Sequence, residues 1–408
     1  MKVNQTERWL RLAFGMLVLL FAGIIYAWPI LKTPFTSEFG WNPAQLSLNY
    51  TLTIVFFCLG GFVAGLITNK TTPRSRILIS AVLLFGGLFF TSRLGGKNVL
   101  TLYLSYGVMA GSGVGFAYTT FIGLTTAWFP DKKGLCSGAL LMSFGLTSMI
   151  IGSLANRFIK APSIGWRKTY LMLAIAEGII LIAASFILRA PKEGTIFPQA
   201  RAMNKDKSTD DNKNLEPTRD YTVVEMIRRS SFWLLFIFIT LLASVGSAAI
   251  ALAADILQEL KIESPATLIG ILSLFNGFGR LASGALYDNV GIRKTQYIMS
   301  AVAIGAPVTV AAAVLTNSLI IGIIGLALCY FSYGFAPTTS SVFASNFYGT
   351  KNFSLNFSVL NLILIPAPFA AVMAGSLYSN TGSFIIPFCI LAGCSVIGLF
   401  LNLGIKKA

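Results

Sequence analysis

Twelve apolar stretches, each long enough to cross a lipid bilayer, limit what this chain of 408 residues can fold into. A transmembrane helix needs about 20 predominantly apolar residues. Because 55% of the residues are hydrophobic and only 11% are charged, the sequence predicts an all-α membrane protein with twelve transmembrane helices. The stretches lie near residues 10–31, 44–67, 76–93, 98–121, 134–158, 167–189, 231–255, 265–287, 294–315, 318–343, 352–378 and 382–405.

The basic residues indicate how the chain is oriented in the membrane. A net charge of +16 could indicate nucleic-acid binding, but the Lys and Arg residues lie between the apolar stretches, so no nucleic acid is expected. They are concentrated in alternate connections, which predicts that both termini and the central polar segment are cytoplasmic. The fifth connection is an exception, and we interpret its cations as a solvated rim or an anion-attracting vestibule: Arg157, Lys160, Arg167 and Lys168.

One long polar break divides the chain into two halves of six spans. The predicted parts are an N-terminal bundle (1–190), a solvated cytoplasmic linker (191–229) and a C-terminal bundle (230–408). The loops after the fourth and tenth spans, WFPDKKG and FYGTKN, resemble each other. Parallel six-span repeats around a midplane site are typical of transporters. The sequence therefore predicts two pseudo-symmetric six-helix bundles around a central cavity.

Arg280 is a permanent cation in the middle of the eighth span. Arginine cannot lose its charge by deprotonation, and a charge at the bilayer centre costs about 3 to 15 kcal/mol, depending on the method of measurement. Asn276 lies four residues earlier and shares its helix face. A cation beside an amide suits a bound carboxylate, so we interpret the pair as an anion site. The alternative is a structural ion pair between Arg280 and a buried acid such as Asp255.

Two acids in or beside the spans are candidates for proton coupling, Glu177 and Asp255. Glu177 lies mid-span in the sixth stretch, where it could also be a packed, neutral side chain, and Asp255 ends the seventh stretch, where it could be an exposed acid. The chain has no histidine, so carboxylates or water would have to carry any protons. With no histidine and no CxxC among the five cysteines, we expect neither a metal nor a cofactor.

The loop after the eighth span contains Gly284, Asp288, Gly291, Arg293 and Lys294. This pattern resembles the loop motif of the major facilitator superfamily. Its glycines would allow close helix approach and a turn, and its acid could bind an arginine or a helix N-terminus across a gate. An ordinary basic inner loop is the alternative. The first-half copy has Asn69 in place of the acid.

Four other segments are informative: WFPDKKGLCSG at 128–138, GSGVGFAY at 111–118, FNGFGR at 275–280 and YAW at 26–28. They resemble segments of one branch of that superfamily, the oxalate/formate antiporter family. The resemblance covers essentially the whole chain. It implies a major facilitator fold, transport by alternating access and a substrate site formed by Tyr26, Tyr118, Asn276, Arg280 and Tyr333.

The chain departs from that family at two positions. The oxalate transporter has a lysine in its eleventh helix, where this chain has Leu364, and a tyrosine in its fifth helix, where this chain has Phe144. One fixed cation pairs one carboxylate, whereas the second carboxylate of a dianion would be left unpaired in a low dielectric. Lactate-like, pyruvate-like or formate-like monocarboxylates therefore fit better than oxalate.

Together these patterns predict a secondary transporter of small organic anions with possible proton coupling. An oxalate/formate-type or dicarboxylate exchanger and a non-transporting membrane receptor are the alternatives. An enzyme is disfavoured because the chain has no histidine, no clustered acids and no nucleophile motif. We expect a monomer in the bacterial-type cytoplasmic membrane, with the bilayer and a small carboxylate as its partners. Pro337, Pro366 and Pro368 are expected to break or bend the tenth and eleventh spans.

Overall fold

The structure is a computed structural model that describes residues 5–41, 43–96, 98–191, 219–262 and 266–405. In these ranges the regular structure is entirely helical. The α-helices are α1 (Gln5–Ala22), α2 (Trp28–Leu31), α3 (Thr33–Phe39), α4 (Pro43–Leu66), α5 (Pro73–Ser92), α6 (Leu100–Leu102), α7 (Gly111–Thr126), α8 (Lys133–Gly145), α9 (Ser153–Lys160), α10 (Gly165–Ile187), α11 (Val223–Ile227), α12 (Ser230–Glu259), α13 (Ala266–Val290), α14 (Ile292–Thr316), α15 (Leu319–Asn346), α16 (Phe353–Leu360), α17 (Phe369–Thr381) and α18 (Ile385–Gly404).

Twelve helical stretches of the described chain are long and apolar enough to cross a membrane, which confirms the predicted number. The chain is an integral membrane protein. The bounds agree with the predicted stretches to within several residues, the first span starting earlier than expected, at Gln5. Many large apolar side chains on these helices are exposed, as expected for surfaces in contact with lipid.

Several spans contain turns that are not α-helical. The first span has a 3-10 segment at Gly23–Ala27, and the fourth and fifth have π-helical segments at Tyr103–Ala110 and Ser148–Gly152. The eleventh has a 3-10 segment at Asn361–Leu364 followed by turns, so the break expected from its two prolines is present. α15 continues through Pro337, so the tenth span is not broken there, and a bend at this proline stays a prediction.

The chain forms two compact units. The first contains Met1–Asp131 and Ser143–Ala200, and the second contains Lys132–Met142 and Arg201–Ala408. The predicted division at residue 190 separates the first six spans from the last six in chain order. The two compact units are instead defined by which residues pack together. The segment Lys132–Met142 belongs to the second unit because the start of α8 lies against the backbone of α13.

The last residues of the predicted linker pack on the second unit. Tyr221 is 5% exposed, and its N–H donates to the carbonyl of Tyr348 at 2.9 Å. The carbonyl of Tyr221 accepts from the side-chain amides of Asn352 and Asn356 at 3.0 and 3.1 Å. Burial raises the pKa of Tyr348 to about 12. This part of the linker is therefore docked and not fully solvated, while residues 192–218 lie outside the described residues.

Candidate functional site

Arg280 lies at the middle of the eighth span and is 1% exposed. Its Nε donates to Oδ1 of Asn276 at 3.3 Å, and one terminal nitrogen donates to the carbonyl of Leu141 at 2.7 Å. These two neutral acceptors orient the guanidinium, whose charge is permanent and whose planar fork suits a carboxylate.

Close packing fixes the backbone that carries Arg280. A Cβ on Gly334 of α15 would lie 2.4 Å from the carbonyl oxygen of Asn276 and 2.7 Å from the nitrogen of Arg280. A Cβ on Gly138 of α8 would lie 2.5 Å from the carbonyl oxygen of Arg280. The hydroxyl of Thr338 donates to that same carbonyl at 3.1 Å. Glycine at these positions lets α8 and α15 approach α13 closely, which fixes the position of the backbone at Arg280.

Asn276 is half-buried and stands one turn before Arg280. Because its Oδ1 accepts from the guanidinium, its Nδ2 is the group that it can offer as a donor. A planar cation and an adjacent amide donor together suit the two oxygens of a carboxylate. The structure thus brings together the two residues on which the predicted anion site depends.

Of the three predicted tyrosines, one lies in the second unit and two lie in the first. Tyr333 precedes Gly334 on α15 and lies in the second unit, where it packs against Gly246 of α12. Tyr118 and Tyr26 lie in the first unit, and their rings contact the ring of Phe144 at centroid distances of 4.9 and 5.4 Å. A shared role of all five residues in substrate binding stays a prediction.

The two candidate acids have opposite environments. Asp255 is exposed on α12, four residues before the end of that helix. Glu177 is 1% exposed in the middle of α10. Because Asp255 is exposed, it is not the buried acid that the alternative of a structural ion pair with Arg280 requires.

The predicted loop motif joins the end of α13 to the start of α8 and to the start of α14. The carboxylate of Asp288 accepts from the backbone N–H groups of Gly134 and Leu135, at 3.0 and 2.6 Å, at the N-terminus of α8. A carboxylate is stabilising there because it meets unsatisfied N–H groups and the positive end of the helix dipole. Gly291 has φ +84°, a conformation that favours glycine, and α14 starts after it. Arg293 and Lys294 are exposed.

We expect Asp288→Asn to slow transport without changing which substrates bind. Asparagine keeps an acceptor oxygen but loses the negative charge at the N-terminus of α8, and the position is eight residues, about 12 Å, from Arg280 along the helix. Initial transport rates and a ligand-binding panel on the same purified variant would check this. A changed substrate ranking would place Asp288 in the pocket instead of in a gate.

Sequence reasoning missed the carbonyl of Leu141 as a partner of Arg280. A main-chain acceptor leaves no mark on residue type, so no side-chain pattern could have shown it. The close crossing of α8 and α13 did have a signal in α8, since Gly134 and Gly138 are four residues apart. Small residues at this spacing are typical of close helix contacts in membranes.

The cations of the fifth connection are exposed, which agrees with a solvated rim. Arg167 forms an ion pair with Glu38 at 2.7 Å, and the indole N–H of Trp166 donates to the same carboxylate. Burial raises the pKa of Glu38, but these two donors outweigh it and the net pKa is lowered. A nearby cavity of about 350 Å³ is lined by Glu38 and Trp166 but by none of the predicted site residues.

Comparison with known proteins agrees with the helical architecture. The family model for the Major Facilitator Superfamily matches residues 12–365. The uncharacterized MFS-type transporter YhjX of Escherichia coli (strain K12) is 26% identical over 88% of this chain and 85% of its own length. The oxalate:formate antiporter of Oxalobacter formigenes is 26% identical over 85% of this chain and 80% of its own.

Among solved structures, the proton:xylose symporter XylE superimposes with a TM-score of 0.70. It covers 99% of this chain and 97% of its own, at 13% sequence identity, so it shows the shared fold alone. These matches confirm the predicted fold and the resemblance to the oxalate/formate branch.

Proposed function

The chain belongs to the Major Facilitator Superfamily, and we propose that it transports small monocarboxylates, such as lactate, pyruvate or formate, by alternating access. The superfamily and the matched relatives are membrane transporters, not enzymes. The observation that carries the proposal is Arg280, a permanent cation at mid-span that is 1% exposed and lies beside the side-chain amide of Asn276. A cation next to an amide donor suits the two oxygens of a bound carboxylate.

A single cation favours a monoanion. The eleventh span, Phe353–Thr381, contains no Lys or Arg, and Leu364 is buried in its 3-10 segment. A dianion would keep its second carboxylate unpaired in a low dielectric. The relative that is named an oxalate:formate antiporter supports the second candidate, an exchanger of oxalate or another dicarboxylate.

In this proposal Arg280 and Asn276 bind the carboxylate, and Tyr333 closes over it from the same unit. Tyr118 and Tyr26 contribute from the first unit, since aromatic hydroxyls offer an apolar body with one polar tip. The loop motif around Asp288 sets the gate. We further propose cytoplasmic termini, on the basis of the distribution of Lys and Arg. A monomeric state and a bacterial-type cytoplasmic membrane complete the proposal.

We expect monocarboxylates to stabilise the purified protein against heat, and oxalate to stabilise it much less. A ligand that binds the folded state alone stabilises it by about 2.7 kcal/mol at 100 times its Kd. A thermal-shift panel of lactate, pyruvate, formate and oxalate at equal ionic strength tests this, with uncharged lactamide as the control.

The substitution Leu364→Lys should strengthen the binding of oxalate relative to that of lactate, because it adds a second cation that can pair with the second carboxylate. Tight oxalate binding by the unmodified protein would favour the dicarboxylate exchanger.

A further inference from the structure

The interruption of the first span carries Tyr26, one of the two predicted substrate residues in the first unit. Residues Gly23–Ala27 form a 3-10 segment between α1 and α2. The N–H of Trp28 donates to the carbonyl of Ile25, three residues earlier, which is the 3-10 pattern. Hydrogen-bond geometry in such a segment is poorer than in an α-helix, so contacts from outside the segment are needed to hold it.

A side chain of the fourth span binds this segment directly. The hydroxyl of Tyr106 donates to the carbonyl of Ile24 at 3.1 Å, and Tyr106 is fully buried. Its ring also packs against the ring of Trp28, the residue after the segment, with 4.7 Å between the centroids. Tyr106 lies in the π-helical segment Tyr103–Ala110, and short π-helical segments occur frequently at functional sites. The irregular turn of the fourth span therefore holds the irregular turn of the first.

A side chain of the fifth span binds the N-terminal side of the same segment. The hydroxyl of Thr147 donates to the carbonyl of Leu20 at 2.6 Å, and it lies further, at 3.0 Å, from the carbonyl of Phe144. A Cβ on Gly23 would lie 2.1 Å from that hydroxyl oxygen, so glycine is required for this approach. The ring of Phe144, one turn before Thr147, packs edge-on against the ring of Tyr26. The fifth span thus fixes the start of the segment and the ring of Tyr26 together.

We propose that Tyr106 and Thr147 are positioning residues, whose hydroxyls hold the 3-10 segment in the geometry that places the hydroxyl of Tyr26 at the substrate carboxylate. This inference rests on the proposed function, in which Tyr26 contributes to binding. Both hydroxyls bind carbonyls of the first span, so they act through Tyr26 and not by contact with the substrate.

The size of the effect follows from helix geometry. A 3-10 helix turns about 120° per residue and an α-helix about 100°. If the segment returned to α-helical geometry from Gly23 onward, Tyr26 would rotate about the helix axis by roughly 60°. A rotation of this size moves a tyrosine hydroxyl by several times the tolerance of a hydrogen bond. The two bonds from the fourth and fifth spans therefore decide whether Tyr26 can reach the substrate.

A double-mutant cycle separates positioning from general stability. Tyr106→Phe removes one hydroxyl, and we expect the affinity of the purified protein for lactate, measured by calorimetry, to fall about three- to tenfold. Tyr26→Phe should lower it by at least as much. Adding Tyr106→Phe to Tyr26→Phe should lower the affinity by less than about twofold further, because a hydroxyl that is absent cannot be misplaced.

Tyr170→Phe is the matched control. Tyr170 on α10 is also fully buried, and its hydroxyl donates to the carbonyl of Leu31 at 3.0 Å. Leu31 ends α2, beyond the 3-10 segment and Tyr26. The same substitution thus removes the same kind of bond to the first span at a place that does not set Tyr26. We expect a melting temperature lowered as in Tyr106→Phe, with an affinity for lactate within about twofold of the unmodified protein.

Thr147 supplies a second test, which holds even if Tyr106→Phe does not fold. Thr147→Val removes the hydroxyl and keeps the branched shape, so the affinity for lactate should fall about three- to tenfold. Thr147→Ser keeps the hydroxyl and should bind lactate within about twofold of the unmodified protein. Equal affinities of the Val and Ser variants would contradict a role for the hydroxyl.

The proposal would be overturned if Tyr106→Phe lowered the affinity by the same factor with and without the hydroxyl of Tyr26, or if Tyr170→Phe lowered it as much as Tyr106→Phe. An unchanged affinity in Tyr26→Phe would also overturn it, while lactate binding by the unmodified protein would leave the proposed function intact. Absence of monocarboxylate binding by the unmodified protein would remove the proposed function itself, and this inference with it.

Discussion

Arg280→Lys should lose most transport while the protein still folds and inserts. Lysine keeps the charge but not the planar fork that donates at once to Asn276, to Leu141 and to a carboxylate. A hydrogen bond to a charged group is worth about 1.5–3 kcal/mol, so we expect the affinity for lactate to fall by about ten- to a hundredfold. Calorimetric binding and initial uptake rates on the same preparation would measure this loss.

The matched control is Arg157→Lys, the same change at an exposed arginine of the fifth connection. It should leave affinity and rate near those of the unmodified protein. Near-normal uptake by Arg280→Lys would remove Arg280 from the binding role and with it the argument for a carboxylate substrate. A lower melting temperature without any loss of lactate affinity would instead make Arg280 a structural residue.

Gly284→Ala should disrupt the contact between α8 and α13. The added Cβ would lie 2.1 Å from the carbonyl oxygen of Gly134, a backbone atom that cannot move aside without moving the helix. The same displacement would separate Asp288 from the N-terminus of α8. Overpacking of this kind typically costs about 1–3 kcal/mol, so we expect a lower melting temperature together with slow transport.

Gly270→Ala is the control for this prediction. Gly270 lies on the same helix, is exposed, and a Cβ there would meet no atom within 4 Å. Alanine has the higher helix propensity, so stability should stay equal or rise slightly. If Gly284→Ala and Gly270→Ala had the same melting temperature and the same transport rate, the close approach at Gly284 would not matter for the transport cycle.

The twelve spans could be predicted from sequence because apolar length is a local property that the bilayer enforces. The loop motif could also be predicted, since the acid of Asp288 and the turn at Gly291 depend on residue type and spacing. The pairing of Asn276 with Arg280 followed from helix periodicity alone.

Other features depend on contacts that no local pattern contains. The 3-10 segment at Gly23–Ala27 and the π-helical segment at Tyr103–Ala110 arise where helices pack against each other, as does the inclusion of Lys132–Met142 in the second unit. Pro337 removes one backbone donor, yet neighbouring helices can support a spanning helix through such a gap, so α15 continues. Leu141 enters the site through its carbonyl, which every residue has.

The most direct test of the central claim is exchange of labelled lactate by the purified, unmodified protein in proteoliposomes. We predict exchange well above that of protein-free liposomes, strong competition by unlabelled pyruvate and formate, and weak competition by oxalate at equal concentration. Absence of lactate exchange together with rapid exchange of labelled oxalate would contradict the account, because it would show that the site built on Arg280 accepts a dianion and rejects the monoanion.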